Sequence, residues 1–201
     1  MNNSNIKILQ ISVTLIACAF LFVPMILSVM AGVTANYFQG VSSGLTFKWV
    51  FQVWELYAES IFLSLGLAIA CLISTLIIGL PAAYGLARHP GWLSRILEEF
   101  ISLPLAVPGL ALALALLQLY GSMKGFRISW TFILVGHVLY TLPFMVRSIL
   151  AVLASMDLKT LEEGASTLGA SPWQRFRDIV VPNAMPGILA GSLTVVTLSI
   201  G

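Results

Sequence analysis

The sequence predicts an all-α, polytopic membrane protein, a bundle of spanning helices, and composition and run length carry that prediction. Of its 201 residues, 59% are hydrophobic and only 9% charged. A soluble domain carries about a quarter charged residues, because its surface must be wetted. So few charges cannot coat a globule, and lipid is the remaining solvent for the outside. The apolar residues also gather into runs of the length a spanning helix needs, about 20 residues at 1.5 Å each. In hydrocarbon only helices or closed barrels satisfy their own backbone, and these runs are too long and too evenly apolar for alternating barrel strands.

Four runs span 8–33, 61–86, 101–120 and 130–153, and a fifth begins at 184 and reaches 201. They contain Pro24, Pro81, Pro104, Pro108 and Pro143. Proline is tolerated in membrane helices, where neighbouring groups satisfy the freed carbonyl, and it bends them. Pro104 and Pro108, followed by Gly109, predict a strong bend in the third run. Cys18 and Cys71 lie inside apolar runs and read as small apolar residues, so no disulfide and no metal site is indicated. In the fifth run Gly187 and Gly191 are spaced for close helix approach.

The basic residues set the orientation. With the N-terminus inside, Lys7, Arg88, Arg95, Arg147, Lys159, Arg175 and Arg177 are cytoplasmic, and Lys48, Lys124 and Arg127 are outside. Seven against three favours that orientation in a bacterial inner membrane. Residues 15–18 have the look of a lipoprotein cleavage box, but the apolar run continues to 33 as a spanning helix does. Segment 35–60 is expected outside, as a loop or a helix lying on the membrane. Arg95, Glu98 and Glu99 fall at the inner membrane surface, and Arg147 is placed to snorkel there.

The longest inner segment, 155–182, carries the most information. Thr160-Leu161-Glu162-Glu163 has the spacing of a capping box. A short helix is expected to follow, with Leu161, Ala165 and Leu168 on one face, ending at Gly169 in a left-handed conformation. Ser171-Pro172-Trp173-Gln174 then opens a second helix as cap, first-turn proline and box-closing glutamine. It should show Trp173, Phe176 and Val180 on one side and end before Pro182. Such a projection is either a docking surface for a partner or a face packed back onto the protein's own helices.

The segment resembles the EAA loop of ABC importer permeases: Glu-Ala-Ala, three residues, Gly, nine residues, Ile-x-Leu-Pro. Here it reads Glu163-Gly164-Ala165, then Gly169, then Ile179-Val180-Val181-Pro182. Every spacing matches, with Gly164 in place of alanine and Val181 in place of leucine. The resemblance covers about residues 40–201 and implies a MetI-like permease, one transmembrane domain over 1–201, of the binding-protein-dependent transport inner-membrane type. It implies ATPase-coupling residues Glu163, Gly164, Ala165, Gly169, Trp173, Phe176, Ile179 and Pro182. It also implies as partners an ABC ATPase dimer, a second permease subunit (homologous or identical) and an extracytoplasmic substrate-binding protein. ATP and magnesium are expected on the ATPase, because this chain has no phosphate-binding Gly-x4-Gly-Lys-Ser/Thr loop. The chain itself is therefore expected to be no enzyme and to hold no cofactor. Gly44-Leu45-Thr46 and the stretch from Pro186 to Gly191 resemble the polyamine, 2-aminoethylphosphonate and ferric-ion branch. Relatives continue through the fifth run and one more helix, so a chain truncated before its final span is expected.

Gln118 and His137 are polar groups within apolar runs, and each could line a translocation pathway or simply satisfy a hydrogen bond in the bundle. A secondary transporter, or another polytopic membrane protein, is the competing class. A secondary transporter needs ionisable groups at mid-membrane, and every carboxylate here lies outside the apolar cores. The small net charge of +2, with no basic run, gives no sign of nucleic acid.

Overall fold

The computed structural model describes residues 3–200, with side chains from residue 6 to residue 200. Nine α-helices follow one another among them: α1 Asn3–Gly32, α2 Lys48–Arg88, α3 Trp92–Ala106, α4 Gly109–Leu119, α5 Lys124–Arg127, α6 Trp130–Ala154, α7 Leu158–Thr167, α8 Pro172–Arg175 and α9 Val181–Ile200, with a short 3-10 turn at Gly40–Ser43. A π-helical turn, Phe176–Val180, joins α8 to α9 without a break. No strand forms among the described residues; Thr34 and Leu45 meet only as an isolated bridge.

Four helical stretches are long and apolar enough to cross a membrane: Ile6–Gly32, Lys48–Arg88, Trp130–Ala154 and Pro172–Ile200. The pair α3 and α4 makes a fifth if it is a single span, but it is bent by 99°. The bend falls where the prolines require it. Val107, ahead of Pro108, is held extended at φ −101° and ψ 128°, as the residue before proline prefers. Pro108 then caps α4.

The chain divides into two compact units, Met1–Ile61 and Phe62–Gly201. In the first, the side chains of α1 are exposed from Ile6 to Val29, as suits a helix facing hydrocarbon. Its turn is closed locally, with the indole of Trp49 donating to the Thr34 carbonyl at 2.9 Å. Helix α2 begins at Lys48, well ahead of the span read from hydropathy at 61. Glu55 and Glu59 are good helix formers, and polarity there ends the apolar run without ending the helix.

The second unit holds the core. Met145, Val146, Ile149 and Leu153 of α6 pack with Ala184, Ile188 and Val195 of α9, and with Cys71 and Ala83 of α2. Small residues let the backbones approach. A Cβ built on Gly187 would stand 2.5 Å from the Ser148 carbonyl oxygen, and one on Gly191 would stand 2.9 Å from the Met145 sulfur. Two threonines inside this core are hydrogen-bonded, whereas the buried Ser199 Oγ of α9 has no partner among the described residues. Thr141 donates to the His137 carbonyl at 2.7 Å and touches Cys71 Sγ at 3.3 Å, and Thr75 donates to the Cys71 carbonyl at 2.8 Å.

Candidate functional site: a braced two-helix projection

Between α6 and α9 the chain turns through α7, a glycine corner and α8. Helix α7 is capped by Asp157, not by Thr160. The Asp157 carboxylate accepts from the Thr160 amide at 3.2 Å and from its hydroxyl at 2.7 Å. These bonds, the hydroxyl first, hold the Asp157 carboxyl below its ordinary pKa. Two overlapping cap signatures compete here, and the earlier start prevails because it brings Leu158 into the helix and buries it. The expected box at 160–163 is therefore absent.

The corner at Gly169 forms as its sequence implies. Gly169 has φ +83°, a conformation that costs glycine nothing. Its amide donates to the Ser166 carbonyl at 3.0 Å, and the Ala170 amide donates to the Ala165 carbonyl at 3.1 Å. This pair of bonds is a Schellman motif. Two residues on, Ser171 and Gln174 close the reciprocal capping box: Ser171 N to Gln174 Oε1 at 2.7 Å, and Gln174 N to Ser171 Oγ at 3.3 Å. Both ends of the corner are thus fixed by backbone and side-chain hydrogen bonds.

Pro182 does not end the second helix. It lacks an N–H and crowds the carbonyl four residues back, and the chain accommodates it with the wider π turn at Phe176–Val180. Asn183 Nδ2 then donates to the Ile179 carbonyl at 2.7 Å. Through that turn α8 runs directly into the spanning helix α9.

The expected faces are redistributed. On α7 the buried side chains are Leu158 and Glu162, while Leu161 and Leu168 are exposed. On the second helix Val180 is buried and Phe176 half-buried. The Phe176 ring meets the ring of Tyr84 edge-on at 5.4 Å and stacks on Trp173 at 5.7 Å. Trp173 is 64% exposed. The second helix packs Phe176 and Val180 inward, while Leu161, Leu168 and Trp173 are exposed.

Of the other motif residues, Glu163 is exposed and pairs loosely with Lys159 at 3.8 Å. Gly164 is exposed with open space around it. Ala165 and Ile179 are half-buried and Pro182 is exposed. The residue that sequence reasoning missed is Glu162, which is 3% exposed. Its Oε1 accepts from the Tyr84 hydroxyl and lies 3.4 Å from Arg88 Nη1. Arg88 also donates to the Tyr84 hydroxyl and stands over its ring. The projection is therefore tied by a buried carboxylate to the end of α2.

The two pathway candidates separate. His137 lines a cavity of about 330 Å³ with Leu112, Leu116, Gly136 and Tyr140. Gln118 is exposed on α4 and does not line it. Among the described residues neither side chain makes a hydrogen bond, and no group of three or more metal-ligating side chains forms.

Residues 75–201 match the family described as binding-protein-dependent transport system inner membrane component, and the chain belongs to that family. It is similar to the spermidine/putrescine transport system permease protein PotB of Escherichia coli, at 32% identity over 73% of this chain and 58% of the relative. It is also similar to the molybdenum transport system permease protein ModB of Haemophilus influenzae, at 31% over 71% of this chain and 67% of the relative. A probable sulfate transport system permease protein of Chlorella vulgaris matches at 32% over 57% of this chain and 47% of the relative. The chain spans about half to two thirds of the length of these relatives. The family and the spanning helices together make it a multi-pass membrane protein of the transport-permease class.

Proposed function

We propose that this chain is the membrane-spanning permease subunit of an ATP-driven importer, and that 155–182 is the element through which a separate ATPase drives it. One observation carries the reading: a two-helix projection leaves Leu161, Leu168 and Trp173 exposed while its inner side is tied to α2 by Glu162. A monomer rarely leaves large apolar side chains together on a hydrogen-bonded corner unless something covers them. An ATPase groove is the occupant that the family supplies, with ATP and magnesium held there. The remaining partners are a second permease subunit and an extracytoplasmic binding protein. On this reading the N-terminus lies on the cytoplasmic side of a bacterial inner membrane.

The cargo is a small solute delivered by that binding protein, with polyamine, organophosphonate or ferric ion as the first reading. An oxyanion is the second, favoured by the relatives named for sulfate and molybdenum transport, which match about as well as the polyamine relative. The test is co-purification of the ATPase with the permease carrying Trp173→Ala. Loss of at least tenfold of the bound ATPase at unchanged permease yield is expected. Full retention by Trp173→Ala and by Leu168→Ala together would refute docking at this corner.

A further inference from the structure

Both helices of the projection meet one residue, Tyr84, near the end of α2. From α7 comes the buried Glu162 carboxylate, which accepts from the Tyr84 hydroxyl. From the π turn after α8 comes Phe176, whose ring lies edge-on to the Tyr84 ring at 5.4 Å. Phe176 stacks in turn on the exposed Trp173 at 5.7 Å, so a line of three rings runs from the corner to α2. Arg88, one turn on from Tyr84, donates to the same hydroxyl and lies 3.4 Å from Glu162. A phenol hydroxyl has one proton to give and lone pairs to receive. Here the proton goes to the carboxylate and a lone pair takes the guanidinium. The hydroxyl of Tyr84 thus serves α7, and its ring serves the second helix.

The position of Tyr84 in α2 gives that meeting a consequence. Pro81 lies inside the helix, three residues earlier. It has no N–H for the carbonyl four residues back, so the turn carrying Tyr84 and Arg88 is held to the span by one backbone bond fewer. Prolines of this kind are where the end of a helix turns against its body. Ala83 and Leu86, in the same turn, belong to the buried cluster that includes Met145 and Ile149 of α6. A displaced end of α2 therefore bears on the core of the bundle. We propose that Tyr84 is the positioning residue through which movement of the projection reaches the spanning helices. It takes α7 by its hydroxyl and the second helix by its ring, and passes both to the turn beyond Pro81. The inference rests on the docking of an ATPase at the corner and names the residue that carries the movement onward.

The test uses the assembled transporter, with ATPase retention read on co-purification and solute transported per ATP hydrolysed read in proteoliposomes. Tyr84→Phe keeps the ring against Phe176 and removes the hydroxyl, whereas Tyr84→Leu removes both. Each should keep the ATPase bound, because Tyr84 lies behind the exposed corner. The ratio should fall about tenfold in Tyr84→Phe, the worth of one hydrogen bond to a charged group, and further in Tyr84→Leu. Adding Phe176→Leu to Tyr84→Leu should lower it no more, since Phe176 acts through Tyr84. A residue that only holds the fold lowers transport and hydrolysis together and leaves their ratio alone. An unchanged ratio in Tyr84→Phe with the ATPase bound therefore overturns the proposal, and this variant decides the matter should Tyr84→Leu insert poorly. A further fall on adding Phe176→Leu also overturns it, because the second helix would then act by another route. If the ATPase does not bind even the unaltered chain, the docking reading fails and this inference with it.

Discussion

Glu162 and Tyr84 lie 78 residues apart and meet inside the protein, where the Tyr84 hydroxyl donates to a carboxylate that is 3% exposed. Arg88 closes the group from the other side. A push on α7 therefore reaches the end of α2 through a polar contact as well as through packing. A buried charge is costly unless paired and hydrogen-bonded, so the contact also fixes how the projection sits.

Two adjacent glutamates should consequently behave in opposite ways. Glu162→Ala leaves the Tyr84 hydroxyl without its acceptor and should cost about 1–3 kcal/mol. Glu162→Gln keeps an acceptor and should cost less. Glu163→Ala removes only an exposed pair with Lys159 and should change stability by under about 0.5 kcal/mol, while lowering ATPase association and transport. Thermal unfolding in detergent, run beside transport assays, separates them. Equal melting of Glu162→Ala and the unaltered chain would show that the buried contact contributes nothing.

Glycine positions offer a second pair of opposite signs. Gly187→Ala forces a methyl to within 2.5 Å of a backbone oxygen of α6, and overpacking of that kind costs about 1–3 kcal/mol. Gly66 lies in α2 with nothing within 4 Å of a built Cβ. Gly66→Ala should therefore stabilise by about 0.5–1 kcal/mol, through the lower entropy of the unfolded chain. No destabilisation by Gly187→Ala would mean that α6 and α9 do not pack as described, and destabilisation by Gly66→Ala would mean that the space beside Gly66 is filled.

Orientation is tested by thiol labelling of intact cells, in a background with Cys18 and Cys71 replaced by alanine. With the N-terminus inside, an impermeant reagent should label Ser43→Cys and leave Ser166→Cys unlabelled until the cells are opened. The reverse pattern would invert the topology.

Much of this was legible in the sequence, because run length, proline position and turn chemistry are local. The bend at Pro108, the left-handed Gly169 and the Ser171–Gln174 box each follow from residues within a few positions of one another. Three features were not. The choice of Asp157 over Thr160 as cap turned on burying Leu158, which is tertiary packing. The passage of the helix through Pro182 needed a π turn that no residue pattern announces. Glu162 gave no signal, since a glutamate beside another in a charged segment reads as surface, and its partners are far away in the chain. Its burial was visible only once α7 was placed against the end of α2.

The central claim is that the Gly169 corner transmits ATPase closure to the pore. Nothing lies within 4 Å of a Cβ built there, but the backbone has φ +83°. A substitution therefore strains the corner without touching a neighbour: about 1–2 kcal/mol for an L-residue, and more for a β-branched one. The most direct measurement is the ratio of solute transported to ATP hydrolysed, in proteoliposomes holding the assembled transporter with Gly169→Ala or Gly169→Val. The ratio should fall modestly for Gly169→Ala and at least tenfold for Gly169→Val, with insertion unchanged in both. An unaltered ratio for Gly169→Val at normal abundance would contradict the account.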